Sequence, residues 1–143
     1  MQIWAKPNVR GLKPSYQTQN FTDEMKRDRL CRIMESTDRH RASKEEGTPI
    51  PLHADLDMDA SILSPGKTVT HDLIKEGDRL VYLHLVMSGK TQPKNGGAKI
   101  KVANQTLGEG DGAFVRAPSG SQVEVESVGD KPAEFLLFDM SEQ

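Results

Sequence analysis

Cysteine is almost missing from this chain: Cys31 is the only one in 143 residues, which excludes an internal disulfide. It lies in the run Leu30-Cys31-Arg32-Ile33-Met34, where a small buried thiol is expected and Arg32 points to the other face of a strand. Aromatic residues are scarce at 5%, with one Trp, so the core must rest on Val, Leu, Ile and Met. No stretch approaches the ~20 apolar residues of a membrane helix, and the first residues lack the apolar core of a signal peptide. The expectation is a soluble protein of the cytoplasm, or of the nucleus. Charge of one sign is not in excess either. A net charge of −2 gives no global reason to expect nucleic acid or an acidic membrane as partner. The basic run Arg39, His40, Arg41, Lys44 is followed at once by Glu45 and Glu46, and reads as a solvated loop. Ser61 and Ser64 have no G-x-S-x-G context, and Gly108, Gly110 and Gly112 precede no helix. Neither a hydrolase elbow nor a phosphate loop is present, and a tight turn explains those glycines.

What is present is a chain of short strands. Turn formers recur at short intervals, among them Ser64-Pro65-Gly66, Glu76-Gly77-Asp78 and Gly108 to Gly112. Ala98 to Val102 and Gln122 to Glu126 alternate apolar and charged residues, the period of half-buried antiparallel strands. Leu80 to Met87 is apolar almost throughout, as a central strand would be, and Glu134 to Asp139 supplies a last strand. Strands at this spacing indicate a sandwich or barrel. Helix is confined to one turn at Thr22 to Arg27, with Thr22 as cap, acids first and bases last. The chain fits one domain, with an arm at residues 1–28 and a β-body at 29–143.

Gly112 to Val123, G-A-F-V-R-A-P-S-G-S-Q-V, resembles the second cupin motif, G-x5-P-x-G-x2-H-x3-N. Gly112, Pro118 and Gly120 are in place. Val123 stands where that motif has its metal-binding histidine, and Ser127 where it has asparagine. In the first motif, G-x5-H-x-H-x3-4-E-x6-G, Gly89 is a reasonable last glycine. Counting back puts Tyr82 or Val81 at the glutamate, and Lys75, Glu76 and Gly77 around the histidines. Three stretches resemble the pirin family of quercetin-2,3-dioxygenase-like bicupins: the opening Gln2-Ile3-Trp4 with Arg10-Gly11, then Asp59-Ala60-Ser61, then Ala103-Asn104-Gln105 through Glu134-Phe135-Leu136-Leu137-Phe138-Asp139. The resemblance is to the second cupin half only. It implies an all-β cupin jelly roll, a double-stranded β-helix, preceded by an arm. It also implies that the iron site belongs to the other half, and that this chain is either an autonomous second-half-like protein or a short form whose partner half is missing. The expected cofactor is none, and the expected metal ligands are none.

The remaining polar candidates are His84, His71 and Tyr82. Tyr82 and His84 share one face of a strand, which a one-residue change of register would turn from inside to outside. Facing inward, His84 would serve as general base with Tyr82 as donor, and Val123, Tyr82 and His84 would contact a small apolar ligand. The alternative is a structural histidine bonded to a neighbouring strand, and it stays open for His71 as well. His53, just after Pro49 and Pro51, and His40, in the charged loop, are expected to be exposed. Ile3 and Trp4 would leave an apolar patch on a lone domain, so two copies are expected to pair through their arms. The functional classes are therefore a metal-free binding or interaction cupin, a cofactor-free isomerase, cyclase or epimerase, and a metal-dependent dioxygenase. The first is favoured.

Overall fold

Alternating side chains make strands only if a second sheet covers their apolar face, and the chain supplies two sheets. The computed structural model describes residues 2–40, 43, 45–90 and 96–141. Arg41 and Lys44 of the basic run, and Pro93 of the connection after Gly89, lie outside the described residues. In chain order the elements are α1 (Asp23–Lys26), β1 (Cys31–Ser36), β2 (Ile50–Leu52), β3 (Leu56–Leu63), β4 (Thr68–Asp72) and β5 (Asp78–Leu85). They continue with β6 (Lys99–Val102), β7 (Gln105–Gly108), β8 (Gly112–Pro118), β9 (Gln122–Ser127) and β10 (Ala133–Ser141). The larger sheet has the order β2-β1-β3-β10-β5-β8, and the smaller β4-β9-β6-β7. Their pairings are antiparallel except for β1 with β2. This is the expected all-β jelly-roll barrel.

Most of the interior is aliphatic. Val81, Leu83, Leu85, Phe135 and Leu137 of the larger sheet meet Ile100, Val102, Val123 and Val125 of the smaller. Each such side chain contributes about 1.5–3 kcal/mol on burial. β5 has neighbours on both sides, as its apolar run suggested, but the two faces differ. Val81, Leu83 and Leu85 are sealed inside, whereas Leu80, Tyr82 and His84 are half-buried on the outer surface. Pro51 is accommodated because β2 is an edge strand. The β6–β7 hairpin turns through Ala103 and Asn104, both at positive φ (46° and 65°), the geometry that matches the twist of the strands.

Three local expectations are corrected. Thr22 is at the N-cap of α1, yet its side chain makes no capping bond; the turn is held by the Met25 amide on the Thr22 carbonyl and by a Lys26–Asp23 ion pair. Arg39 and His40 are not simply solvated. The amides of both reach back to the Ser36 carbonyl, which folds Arg39 onto Asp57 and brings His40 Nδ1 to 3.1 Å from Glu35. Gly112 does not serve a left-handed turn: a Cβ there would lie 2.4 Å from the Tyr82 hydroxyl, so the missing side chain is room for that ring. Cys31 is partly buried, and burial pushes its thiol pKa up, with the charge of Asp59 adding to this, which disfavours the nucleophilic thiolate.

Gly129 is the tightest glycine against backbone. An added Cβ would lie 2.4 Å from the Gly97 carbonyl oxygen and 2.5 Å from the Lys99 amide nitrogen. Gly129→Ala is expected to destabilise by about 1–3 kcal/mol, since backbone cannot rotate away as a side chain can. In a thermal melt this is a fall in Tm of roughly 3–10 °C. An unchanged Tm would show that the approach of these strands is looser than described.

Candidate functional site

Strand β3 reads Leu56-Asp57-Met58-Asp59, and its parity is inverted relative to a simple amphipathic strand. The carboxylates face inward and the apolar residues face out. Asp139 of β10 joins Asp57 and Asp59 inside, and each of the three is no more than 2% exposed. Ionised carboxylates in such a place require cations. Arg79, on the inner face of β5, donates Nε to Asp139 (2.8 Å) and Nη1 to Asp55 (2.7 Å). Arg32 donates Nε to Asp59 (2.7 Å) and Nη1 to Asp57 (2.8 Å). Lys75 bonds Asp55 at 2.7 Å and lies 3.2 Å from Asp57, on which Arg39 also closes. His71 of β4 completes the group, its Nε2 3.1 Å from Asp139 and its Nδ1 3.6 Å from Asp59.

The protonation pattern follows from these partners. Burial acts to raise the Asp139 pKa, but the hydrogen bonds and charges of His71 and Arg79 outweigh it, and the net direction is down. An ionised Asp139 only accepts, so the proton of that contact sits on His71 Nε2. Asp55 is lowered too, by the Arg79 hydrogen bond first, against burial, with Lys75 adding to it. Burial lowers the Lys75 pKa against the pull of Asp55.

The opposite face of the larger sheet is apolar. Leu56, Leu80, Tyr82, Phe138 and Met140 form the floor of a groove of about 1290 Å³, along which residues 2–8 of the arm lie. Residues 2–22 have no regular structure, and this part of the arm is pinned by the Asn8 amide on the His53 carbonyl (2.8 Å). Across the strands runs an aromatic row. Tyr82 stacks at 4.7 Å from Phe114 and 5.9 Å from Phe138, centroid to centroid. Trp4 stays 88% exposed and Phe114 66%.

The sequence candidates are thus divided between two sides of one sheet. His71 and Val123 are cross-strand partners facing the interior. Tyr82 and His84 are on the outer face, so they do not meet His71 or Val123, and an inward general base at His84 is not formed. His53 is exposed as expected.

Residues 41–140 match the family described as the quercetinase C-terminal cupin domain. The chain belongs to that family. This cupin domain of the pirin type is similar in fold to YhhW from Escherichia coli, with TM-score 0.68, 16% identity and coverage of 96% of this chain and 47% of that one. The same bacterial pirin in complex with nickel(II) gives TM-score 0.64 at 16% identity, covering 96% of this chain and 48% of that one. The chain therefore spans about half the length of these structures. No curated protein matches it.

A pirin-type cupin raises the question of a barrel metal, and the residues present do not fit one. Val123 occupies the histidine position of the second motif, and Val81 the inward-facing glutamate candidate of the first; Tyr82, the other candidate, faces out. The one histidine at this end is held by Asp139, whose other oxygen binds the Arg79 guanidinium. A fixed cation thus sits where a metal ion would have to compete. Among the described residues no cluster of three or more His, Cys, Asp or Glu side chains is placed to hold a metal ion.

Sequence reasoning missed Asp57, Asp139, Arg79 and Lys75. The signal available was the period-2 series Asp55, Asp57, Asp59, which places carboxylates together on one face of a strand whose other face is apolar.

The network makes stability depend on acid. The folded pKa of Asp139 is below its unfolded value near 4, so its contribution is present above pH ~4 and is lost as pH falls below that. Asp139→Asn is expected to cost about 3–5 kcal/mol at pH 7, because it leaves Arg79 and His71 without their buried anion. It should also flatten the acid side of the stability profile. Urea unfolding from pH 7 to 3 measures both; an unaltered acid slope in the variant would remove Asp139 from this role.

Proposed function

We propose that this cupin domain is a metal-free binding module that works through the outer face of its larger sheet. The observation that carries this is the exchange of roles between the two faces. The interior positions that the cupin motifs reserve for ligands hold Val81 and Val123 beside the Arg79–Asp139–His71 network. The open apolar groove, by contrast, is outside and contains Tyr82. Small-molecule sites are concave, mostly apolar and furnished with few polar groups, and the groove meets that description.

A second reading, pairing of two copies through Ile3 and Trp4, is supported by the 88% exposure of Trp4 and by Phe114 at the open edge strand β8. A cofactor-free isomerase or epimerase would have to use His71 as its base. Its near-complete burial and the engagement of Nε2 by Asp139 weigh against that. His84→Asn removes the other histidine candidate and is expected to leave folding and groove binding unchanged.

Two measurements test the proposal. Elemental analysis of protein purified without chelator should give well under one equivalent of iron, copper, nickel or zinc per chain; a full equivalent held inside the barrel would overturn it. Light scattering at micromolar concentration, with Trp4 emission as reporter, tests the second reading: a dimer with a shielded indole would give this face to a second copy and overturn the groove as a ligand site. A monomer with a fully solvated Trp4 would remove the pairing reading and leave the groove.

A further inference from the structure

We propose that the groove between the arm and the outer face is a binding site for a planar aromatic anion, an aryl ring carrying a carboxylate or sulfonate. This deepens the reading of the outer face as the binding surface and rests on it. The ring chemistry comes from the floor and wall. Tyr82 and Phe138 lie 5.9 Å apart at 31°, and Leu80 and Met140 line the groove with them. The Trp4 indole, 88% exposed, has no ring partner among the described residues and borders the same space. A flat ring inserted between indole and floor would bury apolar surface on both of its faces.

The sign of the charge comes from the rest of the lining. Lys6 and Arg10 both face the groove, and neither makes an ion pair with any described residue. Asp55 also lines it, but its charge is already held by Arg79 at 2.7 Å and Lys75 at 2.7 Å. The charges left uncompensated in the groove are thus positive. An anionic group on the ring would find both the arm's cations and the amide donors of Gln2 and Asn8 side chains. A neutral ring would gain only the apolar part.

The chain contains its own reporter, because Trp4 is the only tryptophan. The probe is 1-anilinonaphthalene-8-sulfonate, whose absorption overlaps indole emission, compared with its uncharged relative N-phenyl-1-naphthylamine. With the intact chain, the sulfonate should bind saturably at one site, quench Trp4 and weaken severalfold in 0.5 M salt. The double charge reversal Lys6→Glu and Arg10→Glu should weaken the sulfonate roughly tenfold while changing the neutral probe less than twofold. Far-UV circular dichroism matching the parent chain shows that the variant is folded. Equal effects on both probes, or none on either, would overturn the anion assignment while leaving an apolar binding groove. If neither probe binds saturably, the outer-face reading itself falls. Loss of sulfonate binding as protein concentration rises would give the groove to a second copy and overturn the proposal.

Discussion

Three aspartates turned into the barrel, Asp57, Asp59 and Asp139, set the terms for everything around them. A buried carboxylate without partners is among the least tolerable groups in a protein interior, and pairing it well demands both charge and geometry. The cations arrive from four separate places: Arg32 from β1, Arg39 from the turn after it, Lys75 from the loop before β5, and Arg79 from β5 itself. His71 then links β4 to β10 and so joins the smaller sheet to the larger. At this end of the barrel the sheets are held by ions; elsewhere they are held by aliphatic packing. Net energy from such a network is modest because desolvation opposes it, but breaking it leaves unpaired charge, which makes the arrangement hard to replace piecemeal.

That network also occupies the part of the interior where the cupin motifs would bring their donors together. The second-motif position Val123 lies across from His71, and the guanidinium of Arg79 reaches the same carboxylate that His71 does. Asp139, Arg79 and His71 are committed to each other. The open apolar groove, by contrast, is on the outer face under the arm. Tyr82 illustrates the shift. It stands at one of the two counted glutamate positions of the first motif, yet its ring is part of an outer aromatic row that requires Gly112 to lack a side chain. A motif glycine that the sequence explained by a turn is thereby tied to the groove.

Much of the fold was legible beforehand. The strands at Lys99–Val102 and Gln122–Ser127 follow from alternation and from the turn formers that bound them, and the last strand was expected at Glu134 to Asp139, within Ala133–Ser141. The cupin motif residues Gly112, Pro118 and Gly120 place β8 and the turn that carries the chain from the larger sheet into β9 of the smaller. The site was legible only in part. Tyr82 and His84 were correctly set on one shared face, but which face could not be known from Leu80 to Leu85, since both faces of that strand are apolar enough to be buried. His71, in contrast, alternates with exposed threonines and an aspartate, so its inward position was implicit in Thr68 to Asp72.

Sequence alone determined the strand-rich jelly roll, the exclusion of an internal disulfide, and valine in place of the motif histidine at Val123, because periodicity, composition and motif spacing are properties of the chain order. Only tertiary structure decided which side of each strand is inside and which distant charges meet. Asp139 and Arg79 are 60 residues apart, and His71 and Asp139 are 68 apart; no local pattern encodes those contacts. They exist because β10 is inserted between β3 and β5, which brings residues from both ends of the chain to one place. Register and sheet order, set by the whole core, then turn a run of alternating residues into a buried ionic centre on one side and an open groove on the other.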